Sequence, residues 1–243
     1  MNLDRRAALG LLGSGLVSAC SPGPYNAIPP LRFRLIIELL TRQGVERGSS
    51  VRQVSYSQDP SWFPSDGAGQ PKWEGEPTPV SLGGGAWLFA MLEAWTVFDG
   101  ERQRSRGPWN PYSVLQARMY SGDPAVKARY DALSASRDIT QGELLRGLLG
   151  SEPLVLAPDE LPILIAFSTP EIPRSGQLVL PENLTSTFPG VSWGRCTVQA
   201  TEAPLSFGQS AAILPWLNGE EVMALRTTDP FAVNFNTLEF ERR

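Results

Sequence analysis

Short apolar segments separated by proline and glycine are the feature that most limits how this chain can fold. The sequence contains 22 prolines and 23 glycines, and proline is disfavoured in helix interiors and in central strands. Several segments between these breaks alternate apolar and polar residues, which is the period of antiparallel strands with one buried face. The sequence therefore predicts an α+β fold that is mainly antiparallel β and sandwich-like, with a helical insertion around residues 110–150.

Strand-like segments lie on both sides of that insertion. They are residues 31–40, 45–56, 79–82, 87–92, 161–168, 177–180, 191–201 and 231–240. The first two flank the turn residues 41–44 and predict a β-hairpin. Residues 58–77 have no clear period and predict a long surface excursion. The β-rich domain, residues 31–243, is then either one sandwich or two subdomains, 31–100 and 151–243, joined by the helical segment.

Helical spacing is found in the middle of the chain. The first two candidate helices cover residues 113–120 and 124–134. A third helix is predicted after Thr140, because Thr140 and Glu143 have the spacing of a capping box, in which each side chain accepts a bond from a backbone N–H of the other. The leucines Leu148 and Leu149 are expected on the face of this helix that packs against the sheet.

The first twenty residues have the order of a bacterial lipoprotein export signal. A positive region with Arg5 and Arg6 precedes a glycine-rich apolar run, and the small residues Ser18 and Ala19 precede Cys20. The apolar run is shorter than the roughly 20 residues that a membrane-spanning helix needs, so it is typical of a signal peptide. We predict that residues 1–19 are removed and that Cys20 carries a lipid. An ordinary secretory signal with a chance cysteine is the alternative.

Residues 1–30 also indicate the export pathway and the membrane to which the protein is attached. Arg5-Arg6 fits a twin-arginine signal as well as the general secretion route, and both stay open. Ser21, rather than an aspartate, follows Cys20, which favours the outer membrane over the inner one. Residues 20–30 are proline-rich and predict an extended tether of roughly 3 Å per residue. We expect a lipid-anchored protein of the cell envelope that faces the periplasm.

The absence of histidine excludes several kinds of chemistry. With no histidine, Ser-His-Asp and Cys-His mechanisms and His-based metal sites are excluded. The two cysteines are Cys20 and Cys196, so acylation of Cys20 leaves Cys196 without a disulfide partner in the chain. Cys196 lies in a strand-like stretch, and we predict a buried structural thiol. We expect neither a metal nor a cofactor.

Charge and glycine spacing argue against nucleic acid and nucleotide partners. The chain has a formal charge of −4, and its densest basic stretch, Arg102–Arg106, is predicted to be a short loop rather than a phosphate-binding surface. Gly83–Gly85 lacks the Gly-x-Gly-x-x-Gly spacing of a dinucleotide site and predicts a tight hinge between strands. Gly48–Val51 is not a nucleophile elbow, which has glycine on both sides of the serine, and predicts a turn running into a strand.

Carboxylates are the remaining acid and base candidates. They are Glu74, Glu76, Asp159, Glu160, Glu220 and Glu221. A glycosidase needs two carboxylates about 5–9.5 Å apart across a sugar cleft, and aromatic side chains could stack on the sugar. The aromatic candidates are Trp62, Phe63, Trp73, Trp87 and Trp95. The simpler interpretation is that the carboxylates are solvated surface groups and the tryptophans are core residues.

Two sets of short blocks carry a resemblance. The first set runs from Arg34 to Val51 and continues with Gly75-Glu76 and Leu88-Phe89. The second set is Leu161–Phe167, Val179–Leu184, Phe188–Val191 and Leu214–Leu217. Together they resemble an uncharacterised family of exported proteobacterial proteins and lipoproteins that has no established activity. The resemblance therefore implies an exported protein and transfers no catalytic residue.

One turn departs from the pattern that this resemblance implies. Acidic residues are expected after the Leu-Pro strand, but Ser168–Glu171 reads Ser-Thr-Pro-Glu, without an aspartate. An active site at this turn is therefore not expected. The sequence favours a lipid-anchored envelope protein with a non-catalytic binding or assembly role. A carboxylate-dependent hydrolase acting on cell-envelope glycan is the alternative.

Overall fold

The protein is described here by a computed structural model that covers residues 30–56, 71–98, 101–135, 141–150 and 152–218. The strands are β1 Leu31–Thr41, β2 Gly44–Tyr56, β3 Pro71–Glu74, β4 Thr78–Gly83, β5 Ala86–Ala90, β6 Glu93–Phe98, β7 Glu101–Pro108, β8 Leu154–Leu156, β9 Leu164–Phe167, β10 Gly176–Leu178 and β11 Ser192–Ala200. The helices are α1 Pro111–Tyr120, α2 Pro124–Ser134, α3 Gln141–Leu149, α4 Leu184–Thr187 and α5 Gln209–Ile213.

These strands form two antiparallel sheets and a separate hairpin. The first sheet has the order β3-β2-β1-β11-β8, the second has the order β10-β9-β5-β4, and β6 pairs with β7. Each of the two larger sheets contains strands from both sides of the helical segment. The predicted α+β class, dominated by antiparallel strands, is confirmed.

The core lies between the inner faces of the two sheets. Alternate residues of β1 are buried on this side, namely Leu31, Phe33, Leu35, Ile37 and Leu39. They belong to one hydrophobic cluster with Leu88 of β5 and with Leu164 and Ala166 of β9. Because successive strand residues point to opposite faces, the odd positions of β1 line the core and the even positions face outward.

The three longer helices add to the same core. Both α1 and α2 begin with proline, and the side chains of Asn110 and Asp123 cap their free backbone N–H groups, as N-cap residues do. Leu148 and Leu149 of α3 are buried in the main cluster, as predicted. Thr140, the predicted cap of α3, lies outside the described residues.

The second sheet is buried on its other face as well. Phe89 of β5 and Ile165 and Phe167 of β9 form a separate cluster with Leu214 and Trp216. The Trp216 indole packs on Phe167 with ring centroids 5.9 Å apart, and its Nε1–H donates to the Pro170 carbonyl at 2.8 Å. Residues 213–217 therefore cover this face.

Three local predictions are wrong. Residues 71–74 form β3 on the edge of the first sheet rather than part of an excursion, and residues 101–108 form β7 rather than a loop. In both cases pairing with a neighbouring strand outweighs local composition. Gly48 lies within β2 and not in a turn. A Cβ atom there would lie 1.9 Å from the Pro79 carbonyl oxygen, so glycine lets β4 approach β2 closely.

The glycine hinge between β4 and β5 is confirmed. Gly83, Gly84 and Gly85 all have positive φ angles, a conformation that side chains with a Cβ rarely adopt. The predicted strand at residues 231–240 and most of the predicted excursion, residues 58–70, lie outside the described residues.

Candidate functional site

Several predicted site residues lie outside the part of the chain that the structure describes. They are Cys20, Trp62, Phe63, Glu220 and Glu221, and the side chain of Trp95. Among the described helices, none combines the length and the apolar character needed to cross a membrane.

The carboxylates of Glu74 and Glu76 point into different environments. Glu74 accepts hydrogen bonds from Gln53 Nε2 at 2.8 Å and Lys72 Nζ at 2.9 Å on the outward side of the first sheet. Glu76 is buried, and its Oε2 accepts a bond from the Ser210 backbone N–H at 3.0 Å. Gly75, with φ of 118°, turns the chain between them. The two glutamates therefore do not form a pair across one cleft.

Glu160 is part of an ion pair that joins α1 to the segment after β8. Arg118 donates from Nε to Oε1 at 2.6 Å and from Nη2 to Oε2 at 2.5 Å. The Ala157 backbone N–H donates to Oε2 at 2.7 Å. Burial by itself raises the pKa of Glu160, but the bonds from Arg118 and Ala157 outweigh it and the pKa is lowered. Asp159, its neighbour in sequence, is exposed.

The described tryptophans of the proposed sugar platform do not lie side by side. Trp73 is in β3 of the first sheet and is paired with Val54, whose side chain belongs to the main core. Trp87 is in β5 of the second sheet and packs with the cluster on that sheet's other face. These two side chains therefore cannot stack on one sugar ring together.

A buried arginine lies between the two sheets. Arg52 of β2 is only 2% exposed. It donates from Nε to Ser50 Oγ at 3.1 Å, from Nη1 to the Met91 carbonyl at 2.8 Å, and from Nη2 to Thr78 Oγ1 at 2.9 Å and to the Ala90 carbonyl. Arg52 therefore connects β2 of the first sheet to the ends of β4 and β5 of the second.

Charge balance around Arg52 comes partly from Glu76. Burial lowers the pKa of Arg52 to about 9, with the nearby Cys196 and Glu76 opposing the shift, so the guanidinium stays charged at neutral pH. Its donors are already directed at protein oxygens, which is the arrangement of a structural clamp. This cluster could not be recognised from the sequence, because Ser50, Arg52 and Thr78 are polar residues of the kind found on the solvated face of a strand.

Cys196 is buried in the core beside this cluster. It is a free cysteine in β11, paired with Ile37 of β1, and is fully buried. Burial raises the pKa of its thiol to about 12, although the charge of Arg52 acts in the opposite direction. The thiolate is the reactive form of cysteine, so this environment favours an inert structural thiol.

The outward side of the first sheet carries ladders of charged side chains. Glu38 of β1 accepts bonds from Arg195 Nε at 2.6 Å and from Arg47 Nε at 2.9 Å, on the strands to either side. Both bonds lower the pKa of Glu38, and the bond from Arg195 has the larger effect. A second ladder runs from Arg32 through Gln53 to Glu74. The sequence contained enough information to predict this pair, because the position of the β1–β2 turn sets Glu38 opposite Arg47.

No protein-family model, curated protein or solved structure matches this chain. The resemblance drawn from the sequence therefore stays a prediction. Within the described residues, no group of three or more histidine, cysteine or carboxylate side chains is placed to hold a metal ion.

Proposed function

We propose that this protein is a lipid-anchored component of the bacterial cell envelope with a non-catalytic binding or assembly role. The observation that carries the proposal is the order of the first twenty residues, with small side chains before Cys20. One acyl chain holds a protein at a membrane only marginally, whereas two or more give a stable anchor. The lipid at Cys20 would therefore keep the folded domain at the membrane surface.

The contacts of Glu76 and Glu160 favour structural rather than catalytic roles for these two carboxylates. Glu160 is engaged by Arg118 and by a backbone N–H, and Glu76 is buried against the Ser210 backbone. A general acid or base must be able to reach a substrate proton. Glu76 is 1% exposed, and the side chain of Glu160 is 15% exposed and held by Arg118, so both have restricted access to a substrate.

Metabolic labelling with a palmitate analogue tests the anchor. The wild-type protein should incorporate the label and partition with the membrane, and Cys20→Ala should do neither. Cys196→Ala is the matched control, because it removes the other cysteine and should leave labelling unchanged. Retention of the label in Cys20→Ala would contradict the proposed attachment site.

An activity assay on purified peptidoglycan tests the non-catalytic role. The wild-type protein, Glu76→Gln and Glu160→Gln should all release no soluble fragments. Turnover by the wild-type protein that one of these substitutions abolishes, while the substituted protein stays folded, would establish the hydrolase instead. Affinity capture from detergent-solubilised envelope, compared between wild type and Cys20→Ala, would then identify the partner.

A further inference from the structure

The outward side of the first sheet has a charge opposite to that of the whole chain. Cross-strand partners share a face, so the register places five described cations and two described carboxylates on this side. The cations are Arg32, Arg34, Arg47, Lys72 and Arg195, and the carboxylates are Glu38 and Glu74. The resulting formal charge of this face is +3, in a chain whose net charge is −4.

Several of these cations are accessible from solvent. The side chains of Arg47 and Arg195 are 61% and 57% exposed, although both also bond to Glu38. A guanidinium has five N–H donors, so each arginine keeps donors beyond those directed at Glu38. The face can therefore present positive charge and hydrogen-bond donors to an anionic surface.

An exposed aliphatic pair lies at one end of this face. Leu40 and Val45 are cross-strand partners beside the β1–β2 turn, and both side chains are largely exposed. Leu40 lies eight residues along β1 from Arg32, which corresponds to about 27 Å at the rise of an antiparallel strand. An apolar pair next to a cationic face suits the boundary between lipid headgroups and acyl chains.

The predicted lipid attachment point is close in sequence to the opposite end. Ten residues separate Cys20 from Leu31, the first residue of β1. A chain of this length reaches at most about 35 Å. The first residue of β1 would therefore lie within that distance of the lipid-bearing Cys20. The anchor and the Leu40–Val45 pair would then hold opposite ends of the same cationic face.

We propose that the outward face of the β3-β2-β1-β11-β8 sheet docks on anionic phospholipid headgroups, with Leu40 and Val45 entering the headgroup boundary. The proposal rests on the lipid anchor as the reason that the domain is at a membrane. Anionic bilayers attract clustered basic residues near their surface within a Debye length.

Vesicle binding without the lipid tests this proposal separately from the anchor. The processed chain with Cys20→Ser should bind phosphatidylglycerol–phosphatidylethanolamine vesicles and not phosphatidylcholine vesicles, and added salt should weaken binding. Replacing Arg34, Arg47 and Lys72 by glutamine should reduce the affinity at least about tenfold. The matched control replaces Lys127, Arg129 and Arg146 of α2 and α3 by glutamine and should retain nearly wild-type affinity.

The aliphatic pair distinguishes a lipid surface from a soluble polyanion. Leu40→Ser with Val45→Ser should weaken vesicle binding severalfold and leave any retention on heparin unchanged. Circular dichroism and the unfolding midpoint verify that each variant is folded. The proposal is overturned by absent vesicle binding, by equal losses in the face and helix triple variants, or by tighter binding to heparin with no effect of the aliphatic pair. None of these outcomes bears on palmitate labelling at Cys20.

Discussion

The outward faces of the two sheets differ in what lies against them. In the second sheet, Phe89, Ile165 and Phe167 face a cluster that includes Leu214 and Trp216, so this side is closed by residues that follow β11. In the first sheet, the outward side presents Arg47 and Arg195 to solvent. The second sheet is thus an interior layer of the domain, whereas the outward side of the first sheet is open to solvent around Arg47 and Arg195 and contacts Ala203 and Ser206 near Arg32 and Val51.

This difference shows how strand composition relates to position in a layered fold. Strands β5 and β9 are apolar at successive residues, which is the pattern of strands that are buried on both faces. Strand β1 alternates, which is the pattern of a strand with one solvated face. The open face is therefore the place where charged side chains can serve binding without a large desolvation penalty.

The largest effect is expected where the inner faces of the two sheets meet. Arg52→Met should destabilise the protein by about 3–5 kcal/mol, because it removes the donor to the Ala90 and Met91 carbonyls and the opposing charge near the buried Glu76. Arg34→Met is the control, since Arg34 lies on the neighbouring strand and faces outward, and a change below about 0.5 kcal/mol is expected. Urea denaturation measures both. Equal losses would mean that the two arginines do not occupy opposite faces.

The closed outward face should be the next most sensitive. Trp216→Ala should cost about 3 kcal/mol, because it removes a large buried side chain from above Phe167. Trp216→Phe keeps most of the packing but loses the bond to the Pro170 carbonyl, and a smaller loss of about 1 kcal/mol is expected. Tyr120→Ala, at a side chain that is 77% exposed, is the comparison. Thermal unfolding measures these losses of stability, and a loss in Tyr120→Ala as large as that in Trp216→Ala would argue against a closed face.

The reactivity of Cys196 tests whether the inner face of the first sheet is closed to solvent. The native protein should resist a maleimide reagent at neutral pH, because burial raises the pKa of the thiol to about 12 and keeps it out of solvent, and it should react fully in urea. Cys196→Ser should cost about 1–3 kcal/mol, because it places a more polar hydroxyl at a fully buried position. Rapid labelling of the folded protein would show that this face opens to solvent.

The smallest effect is expected on the open face. Glu38→Gln should cost about 1 kcal/mol at neutral pH, which is typical of ion pairs with exposed partners. Because the native pKa of Glu38 is lowered, its contribution is present above the unfolded pKa of about 4.3 and is lost as pH falls through the lower native value. The wild type and Glu38→Gln should therefore converge in stability in acid. A difference that persists or grows there would contradict this ion pair.

Much of the fold could be predicted because it depends on local periodicity. The β1–β2 hairpin, the glycine hinge, helices α1 and α2, and the buried Leu148–Leu149 pair all follow from patterns within a few turns or strand lengths. Strand β7 follows its partner β6 after only Asp99-Gly100, a dipeptide that favours a hairpin, so the prediction of a loop there overlooked a local signal. Strand β3 could not be predicted from local patterns, since residues 57–70 separate it from its partner β2. The same holds for Arg52, whose acceptors Thr78, Ala90 and Met91 lie 26 to 39 residues away.

The sequence by itself determined most of the strand-forming segments, that acylation of Cys20 would leave Cys196 without a disulfide partner in the chain, and that histidine-dependent chemistry is excluded. Only the tertiary structure decided which side of each sheet is closed, because that depends on where residues 209–218 pack. It also decided that Arg52 is buried while Arg34 faces outward, although they lie on neighbouring strands. The physical reason is that periodicity defines two faces for each strand, whereas burial of a face requires a second layer.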